Sequence, residues 1–253
     1  MAKPNVIGLM IGKKNSVGVP RKNTSIVLGK RLCEYPLIEA KKSGVISKFF
    51  VSTDCPIIKE IGWKYKCGII HRSDNISDPD TLTEDVLYHA HQEIKKRVSK
   101  KIDYYSLLYA NGGFVTSEFI SESVNKLECN PGFDSCVGVI RADMFTPTRC
   151  RRIAEDGEVI PYNESIDFGN SNRDSTGGSY FIDHSCVTVK SECFEKMDGA
   201  PPMLWLGPKI LSLEKDFGGD IDDYWMYPVL EYWLKNKSYI KENTNTLFNH
   251  PQG

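Results

Sequence analysis

Neither a loop closed by GK[ST] nor a G-x-G-x-x-G turn occurs anywhere in the 253-residue chain. Two familiar phosphate cradles are therefore missing, which sets aside a P-loop kinase and a dinucleotide oxidoreductase. Long apolar runs are lacking as well. No segment approaches the ~20 apolar residues of a membrane span, and the stretch MAKPNVIGLM is too short for a signal peptide, so a cytoplasmic location with no membrane partner is expected. Eight cysteines are present, but none forms a C-x-x-C pair and no histidine neighbours them at metal-finger spacing. They read as reduced, mostly buried thiols. Nor is there an excess of one charge: 32 basic and 33 acidic residues leave a formal net charge of -1. A chain devoted to nucleic acid would carry a strongly basic footprint, so no nucleic-acid partner is expected. Internal repeats and low-complexity tracts are absent too. The length, with 40% hydrophobic and 26% charged residues, suits one large α/β domain over residues 1–253 and is too short for two catalytic domains.

What is there begins at the apolar run Val6-Ile7-Gly8-Leu9-Met10-Ile11. It empties into KKNSVGVPRKN, residues 13–23, which carries Lys13, Lys14, Arg21 and Lys22 together with turn points at Gly12 and Gly18. A basic loop is most often a solvated turn. Position changes that reading, because ligands of open α/β sheets sit outside the carboxyl ends of the strands and this loop follows the first strand. Small residues such as Gly12, Ser16 and Gly18 let backbone N–H groups approach an anion closely, and the cations complete the grip. A nucleoside triphosphate, with roughly four negative charges, is the guest such a loop fits.

The pattern that follows alternates. Helical spacing over Leu32 to Ser43 stops at Gly44, Lys48 to Thr53 reads as a strand, Pro56 to Lys66 as a helix, and Ile69 to His71 as a strand. This β-α-β-α-β order predicts a Rossmann-like α/β fold, a mostly parallel sheet with helices on both faces. Thr83 to Val98 forms an amphipathic helix with acidic residues near its start. The basic run from Lys95 to Lys101 reads as a solvated helix end rather than a nuclear localisation patch. Ile102 to Tyr109 and Asp134 to Ile140 are further strands, with a helix over Phe119 to Leu127 between them. Residues 141–172 change texture and include a hairpin turning at Asp156-Gly157. This stretch reads as an insertion projecting from the sheet, either a dimerisation arm or a surface flap. Ser179 to Val189 and Ile210 to Leu213 return to strand character, and Trp225 to Leu234 closes as a helix.

A second landmark is Gly218-Gly219-Asp220-Ile221-Asp222-Asp223. In an extended segment Asp220 and Asp222 project to one side while Ile221 points to the core. Two carboxylates so placed are a natural seat for Mg²⁺. The segment also admits a plainer reading, in which Asp222 or Asp223 caps the following helix. Paired with the basic loop, the carboxylates make the two halves of a metal-assisted nucleotidyl-transfer site.

The residues resemble the acylneuraminate cytidylyltransferases, the CMP-sialic acid synthetases. KKNSVGVPRKN is similar to that family's amino-terminal signature, and Val51-Ser52-Thr53-Asp54 matches its VSTD. His71-Arg72-Ser73 and Ser77-Asp78-Pro79-Asp80-Thr81 stand where the family has an R-P and an SDT segment, and Asp220-Ile221-Asp222 matches its metal motif. The similarity spans nearly the whole chain. It implies transfer of CMP from CTP to the anomeric hydroxyl of a sialic-acid-like 2-keto-3-deoxy sugar acid, Mg²⁺ dependence, and a homodimer built through the arm. Lys13, Asn15, Ser16, Arg21, Lys22 and Asn23, with Gly12 and Lys14, would surround the triphosphate. Arg72 and Thr81 would lie near cytidine, and Asp220 and Asp222 would hold Mg²⁺. Catalysis would rest on those two carboxylates with Lys13 and Lys22.

Three departures matter. Lys13 replaces the family's first arginine and Val17 its next loop cation, with Lys14 as the expected substitute. Leu107 to Phe114 reads LLYANGGF where most members have LLQPTSPL. Arg173 to Ile182 departs from R-x-N-G-A-I-Y-I, although Arg173 still suits a sugar carboxylate. Tyr109, Asn111 and Arg173 are the expected sugar-binding residues, for an acceptor other than ordinary sialic acid. Two other readings remain open: a relative that binds nucleotide without turnover, and, ranked last, a glycosyltransferase using D-x-D.

Overall fold

The computed structural model describes residues 3–15, 18–78, 80–165, 169–170 and 178–247. Of the residues singled out above, Ser16, Val17, Pro79 and Arg173 lie outside them, as do residues 166–168 and 171–172 of the insertion and 174–177. Strand β1 (Val6–Gly12) leads through the basic loop to a small hairpin of β2 (Ile26–Val27) and β3 (Lys30–Arg31), then to α1 (Glu34–Lys42). Next come β4 (Lys48–Thr53), α2 (Pro56–Lys64), β5 (Gly68–His71), α3 (Thr83–Lys95), β6 (Tyr104–Tyr109), α4 (Ser117–Cys129) and β7 (Ser135–Arg141). A second hairpin pairs β8 (Arg151–Ile153) with β9 (Val159–Pro161), and the chain returns through β10 (Tyr180–Lys190), α5 (Cys193–Lys196), β11 (Ile210–Lys215) and α6 (Met226–Leu247).

Seven strands form one sheet in the order β11-β7-β10-β6-β1-β4-β5. All neighbouring pairs are parallel except the two that β10 makes, with β6 and with β7. The mostly parallel α/β sheet read from the sequence is therefore present, with one antiparallel strand inside it.

Alternation sorts the side chains onto two faces. Ile7, Leu9 and Ile11 of β1 join Tyr105 and Leu107 of β6 in a cluster closed by Val86, Leu87, Ala90 and Ile94 of α3. Met10 and Leu108 turn the other way, onto Leu37 and Ala40 of α1, Ile58 and Ile61 of α2, and Phe119 and Ile120 of α4. A third cluster, of Val27, Leu32, Phe114, Ile221, Leu230 and Trp233, fastens the first hairpin and α6 beside the mouth of the sheet.

Differences from the sequence reading are local. The β2–β3 hairpin, turning through Leu28 (φ 45) and Gly29 (φ 78), carries only two residues per strand and leaves no periodic signal. Helix α3 ends at Lys95, short of Val98, and Arg97 just beyond it pairs with Glu93 and donates to the Ile69 carbonyl. Helix α6 runs to Leu247, well past Leu234. Six of the eight thiols are buried and all are free, as expected, but Cys129 and Cys150 are exposed. Among the described residues no helix is long and apolar enough to cross a membrane.

Candidate functional site

The carboxyl ends of β1, β4, β5 and β6 lie side by side, since Gly12 is in register with Thr53, Thr53 with His71, and Ile11 with Tyr109. A cavity of about 240 Å³ opens there, lined by Ile11, Gly12, Lys13, Lys22, Asn23, Arg72, Thr81, Thr83, Val86, Tyr109, Asn111 and Asp220. Gly12 is fixed by crowding, because a Cβ at that position would stand 2.6 Å from Cβ of Ala110 and 3.1 Å from Cδ1 of Ile58.

The basic loop is braced from beneath. Asn23 is buried and donates through Nδ2 to the Lys13 carbonyl at 2.9 Å, while the Lys14 amide donates to Asp54 Oδ1 at 2.9 Å. Lys13 and Lys22 thereby reach the cavity. Lys14, Asn15 and Arg21 are exposed and line no part of it. Arg21 adopts a left-handed conformation (φ 57) where the chain enters the short turn of Lys22–Thr24.

Arg72 is the deepest cation. Only 5% exposed, it donates through Nη2 to the Gly12 carbonyl at 2.5 Å and stands 3.6 Å from Asp54 Oδ1. Burial pulls its pKa down and Asp54 opposes that. Its Nε, and Oγ1 of Thr81 on the same cavity wall, are buried without a partner among the described residues. Orphaned buried donors of this kind call for a ligand.

Across the cavity, the Asp220 turn is held by Asn111. Its Nδ2 donates to Asp220 Oδ2 at 2.7 Å and to the Ile221 carbonyl at 3.3 Å, and its own carbonyl accepts from the Ile221 amide at 3.1 Å. Ile221 is fully buried, as the alternation expected. Asp222 forms an ion pair with Lys22. The plainer reading fails for its carboxylate, which faces Lys22; the amide of Met226, first residue of α6, instead bonds the Asp223 carbonyl.

Burial raises the Asp220 carboxyl and the Asp222 charge raises it further, against lowering by Asn111, Lys22 and His184; the net shift is upward. A carboxylate pair under this strain gains from a cation. Among the described residues no set of three or more His, Cys, Asp or Glu side chains gathers. A cation on Asp220 and Asp222 would complete its shell with water and phosphate oxygens, which is how Mg²⁺ sits in phosphoryl sites.

Tyr109 lines the same cavity, where burial, Asp220 and Glu84 all raise its phenol. The His184 ring meets it edge-on, 6.4 Å between centroids. His184 and Thr83 carried no motif in the sequence. Asp183 left a faint signal, a charged residue inside the apolar strand YFIDHSCVTVK. A larger cavity of about 490 Å³, between α4, β11 and α6, lies away from these strand ends.

Comparison with known proteins follows the same line. The family model described as cytidylyltransferase matches residues 13–169. A pseudaminic acid cytidylyltransferase of Campylobacter jejuni is 29% identical over 110 residues, a match that spans 43% of this chain and about half, 47%, of the relative's length. Among solved structures, a CMP:2-keto-3-deoxy-manno-octonic acid synthetase complexed with CTP superposes with a TM-score of 0.66 at 12% identity, covering 92% of this chain and 99% of that one. A 4-diphosphocytidyl-2C-methyl-D-erythritol synthase from Anaerococcus prevotii gives 0.60 at 17% identity, with 91% and 96% covered. At such identities these two likenesses concern the fold.

Proposed function

The chain belongs to the cytidylyltransferase family, and from that premise we propose that it transfers CMP from CTP to the anomeric hydroxyl of a sialic-acid-like 2-keto-3-deoxy sugar acid, releasing pyrophosphate. The observation that carries this reading is the meeting of the basic loop with the carboxylate turn at one rim of the cavity, through Lys22 and Asp222. Lys13 and Lys22 neutralise the triphosphate, and Asp220 and Asp222 hold Mg²⁺. When bound, the metal stabilises charge on the phosphate oxygens as pyrophosphate departs. Arg72 Nε and Thr81 Oγ1 are the free polar atoms for the cytosine edge. Asn15 and Arg21 come into reach of phosphate only if the loop folds over it, and Ser16 is assigned by resemblance alone.

For the acceptor we propose the wall formed by Tyr109 and Asn111, with Arg173 as partner of the sugar carboxylate. The Asn111 amide already serves Asp220, so it acts on the acceptor through the metal seat more than by direct contact. The relative from C. jejuni is named for pseudaminic acid, which supports a nonulosonic acid other than ordinary sialic acid as the acceptor. Such a product feeds surface-glycan synthesis from a cytoplasmic CTP pool.

We further propose a homodimer, joined through the β8–β9 arm. Ile153 is 77% and Val159 64% exposed, with Phe145, Tyr162, Tyr180 and Phe181 also bare, an apolar surface larger than scattered single residues. The experiment that tests the activity is pyrophosphate release from CTP and Mg²⁺ across a panel of nonulosonic and octulosonic acids. Release with one acceptor is expected. A folded protein that binds CTP and stays silent with every acceptor would instead be a non-catalytic relative.

A further inference from the structure

We infer that Asp183 is a positioning residue for the metal seat: its buried carboxylate sets the Gly218–Gly219 turn and so fixes where Asp220 enters the site. The inference rests on the reading of Asp220 and Asp222 as the Mg²⁺ ligands. Asp183 lies in β10, the one antiparallel strand of the sheet, and is fully buried. A carboxylate in that position must have its desolvation offset by close partners.

Two of its four contacts stay within β10, and the other two reach the segment that leads to Asp220. Lys215, at the end of β11, forms an ion pair with Oδ2, and Ser185 Oγ donates to the same oxygen at 2.7 Å. The Ser185 amide at 3.0 Å and the Gly219 amide at 2.9 Å donate to Oδ1. Lys215 and Gly219 are the two ends of the connection that leads to Asp220, so one carboxylate closes that loop on itself.

The backbone around it is shaped to allow this. Strand β10 pairs with β7 in one register up to Asp183 opposite Gly138, and resumes in another at Val187 opposite Val137. Bulges of this kind re-aim side chains beside functional sites. Side chains are missing where the pair needs room: a Cβ on Gly218 would stand 2.9 Å from Asp183 Cγ, and one on Gly138 would stand 2.9 Å from Lys215 Cδ. Gly219 has φ +122, open to glycine and strained for other residues. One residue later the chain is Asp220, clamped from the far side by Asn111. The seat is thus suspended from two fixed points, and Asp183 supplies the one that no motif marks.

Purely structural glue would lower stability when removed and leave metal affinity alone. Mn²⁺ titration of the CTP-bound protein, followed by the electron paramagnetic resonance of free Mn²⁺, separates the two and does not depend on turnover. Asp183→Asn keeps an acceptor for the Gly219 amide but loses the charge that holds Lys215. Gly218→Ala leaves the ion pair in place and pushes the turn away from it. Both folded variants are expected to bind Mn²⁺ roughly 10- to 100-fold more weakly, the range for partners that orient metal ligands, with CTP affinity in EDTA within about twofold of the parent. Wild-type Mn²⁺ affinity in folded Asp183→Asn overturns the inference. Should that variant not fold, wild-type affinity in Gly218→Ala does so. If the parent itself binds no Mn²⁺ with CTP, the assignment of Asp220 and Asp222 has failed and the inference fails with it; a parent that binds Mn²⁺ but transfers no CMP leaves the inference standing on its own result.

Discussion

Lys22 and Asp222, two hundred residues apart in sequence, form an ion pair at the rim of the strand-end cavity. The side chain of Asp222 is 64% exposed and that of Lys22 only 15%, so water already serves the carboxylate well. An ion pair with one such exposed partner contributes about 0–1 kcal/mol to stability. Under the proposed function, the same ammonium would meet the phosphate that approaches a metal on Asp222. Lys22→Met should therefore change the unfolding free energy by less than about 1 kcal/mol. CMP transfer should fall by about 100-fold or more, since an electrostatic group aimed at developing charge is worth that much. Urea unfolding beside initial rates decides; a large loss of stability with normal turnover would mean the pair is structural.

Asn111 supplies a second prediction, because it places an amide 2.7 Å from Asp220 where a carboxylate would fit in size. Asn111→Asp removes the Nδ2 donors to Asp220 and to the Ile221 carbonyl and adds a third negative charge to a pair already in conflict. Carboxylates this close cannot all be ionised without a cation between them. Thermal unfolding in EDTA should show a lower Tm than the parent, and adding Mg²⁺ should raise the variant's Tm by more than it raises the parent's. An equal Mg²⁺ response in both proteins would place the cation elsewhere.

Much of this was legible in the sequence, for reasons that differ by residue. The strands of the parallel sheet announce themselves because each must feed side chains to both faces, as Leu9 and Met10 do in opposite directions. Gly12 and Lys22 stand out because a phosphate cradle needs small residues and cations close together along the chain, whereas Asn23 enters through the family resemblance. Asp220 and Asp222 were found by period-two alternation around an apolar residue. Asp183 and Asn111 escaped that reasoning, at least in their roles, because their partners lie 36 and 109 residues away and no local pattern encodes a contact across the sheet. Lys14 fits the composition of the loop, yet its side chain stands outside the cavity because the Lys14 amide is tied to Asp54.

Glu39 ties three helices together and sets a pH dependence. From α1 it accepts from Lys42 at 3.0 Å, from Lys237 of α6 at 3.1 Å, and from the Ser117 amide that opens α4 at 3.1 Å. Burial alone would raise its carboxyl, but the lysine contacts outweigh burial and hold it below the ordinary value. A depressed carboxylate contributes stability that is present above the unfolded value of about 4.3 and is lost as pH falls through the folded value. Glu39→Gln should thus be less stable than the parent at pH 7, by an amount on the order of 1 kcal/mol, with the gap closed at an acid pH below the folded value. Denaturant curves at both pH values test this, and a gap that persists in acid would refute it.

The arm carries a prediction about assembly. Ile153 and Val159 are so exposed in the single chain that a charge at either position should leave the fold of one protomer intact. If two arms meet, that charge is buried without a partner. Ile153→Asp together with Val159→Asp should shift light-scattering mass from dimer to monomer at micromolar protein, with an unchanged far-ultraviolet dichroism spectrum. Dimers that persist in the double variant would move the interface away from these strands.

Arg72 distinguishes recognition of the base from chemistry at the phosphate. Its Nη2 donates to the Gly12 carbonyl and stands beside Asp54, while its Nε is buried without a partner among the described residues. Arg72→Lys keeps a positive charge near Asp54, but a single ammonium cannot serve the Gly12 carbonyl and a ligand in the same geometry. One buried hydrogen bond lost on binding is worth about 1–3 kcal/mol, roughly 10- to 100-fold in affinity. The KM for CTP should rise within that range while kcat changes by less than about threefold, because interactions equal in ground and transition states move KM alone. Discrimination against UTP should narrow in parallel, since uracil and cytosine differ at the ring edge such a donor would read. A variant whose kcat collapses at unchanged KM would assign Arg72 to the departing pyrophosphate instead, and steady-state kinetics with both nucleotides separates the two outcomes.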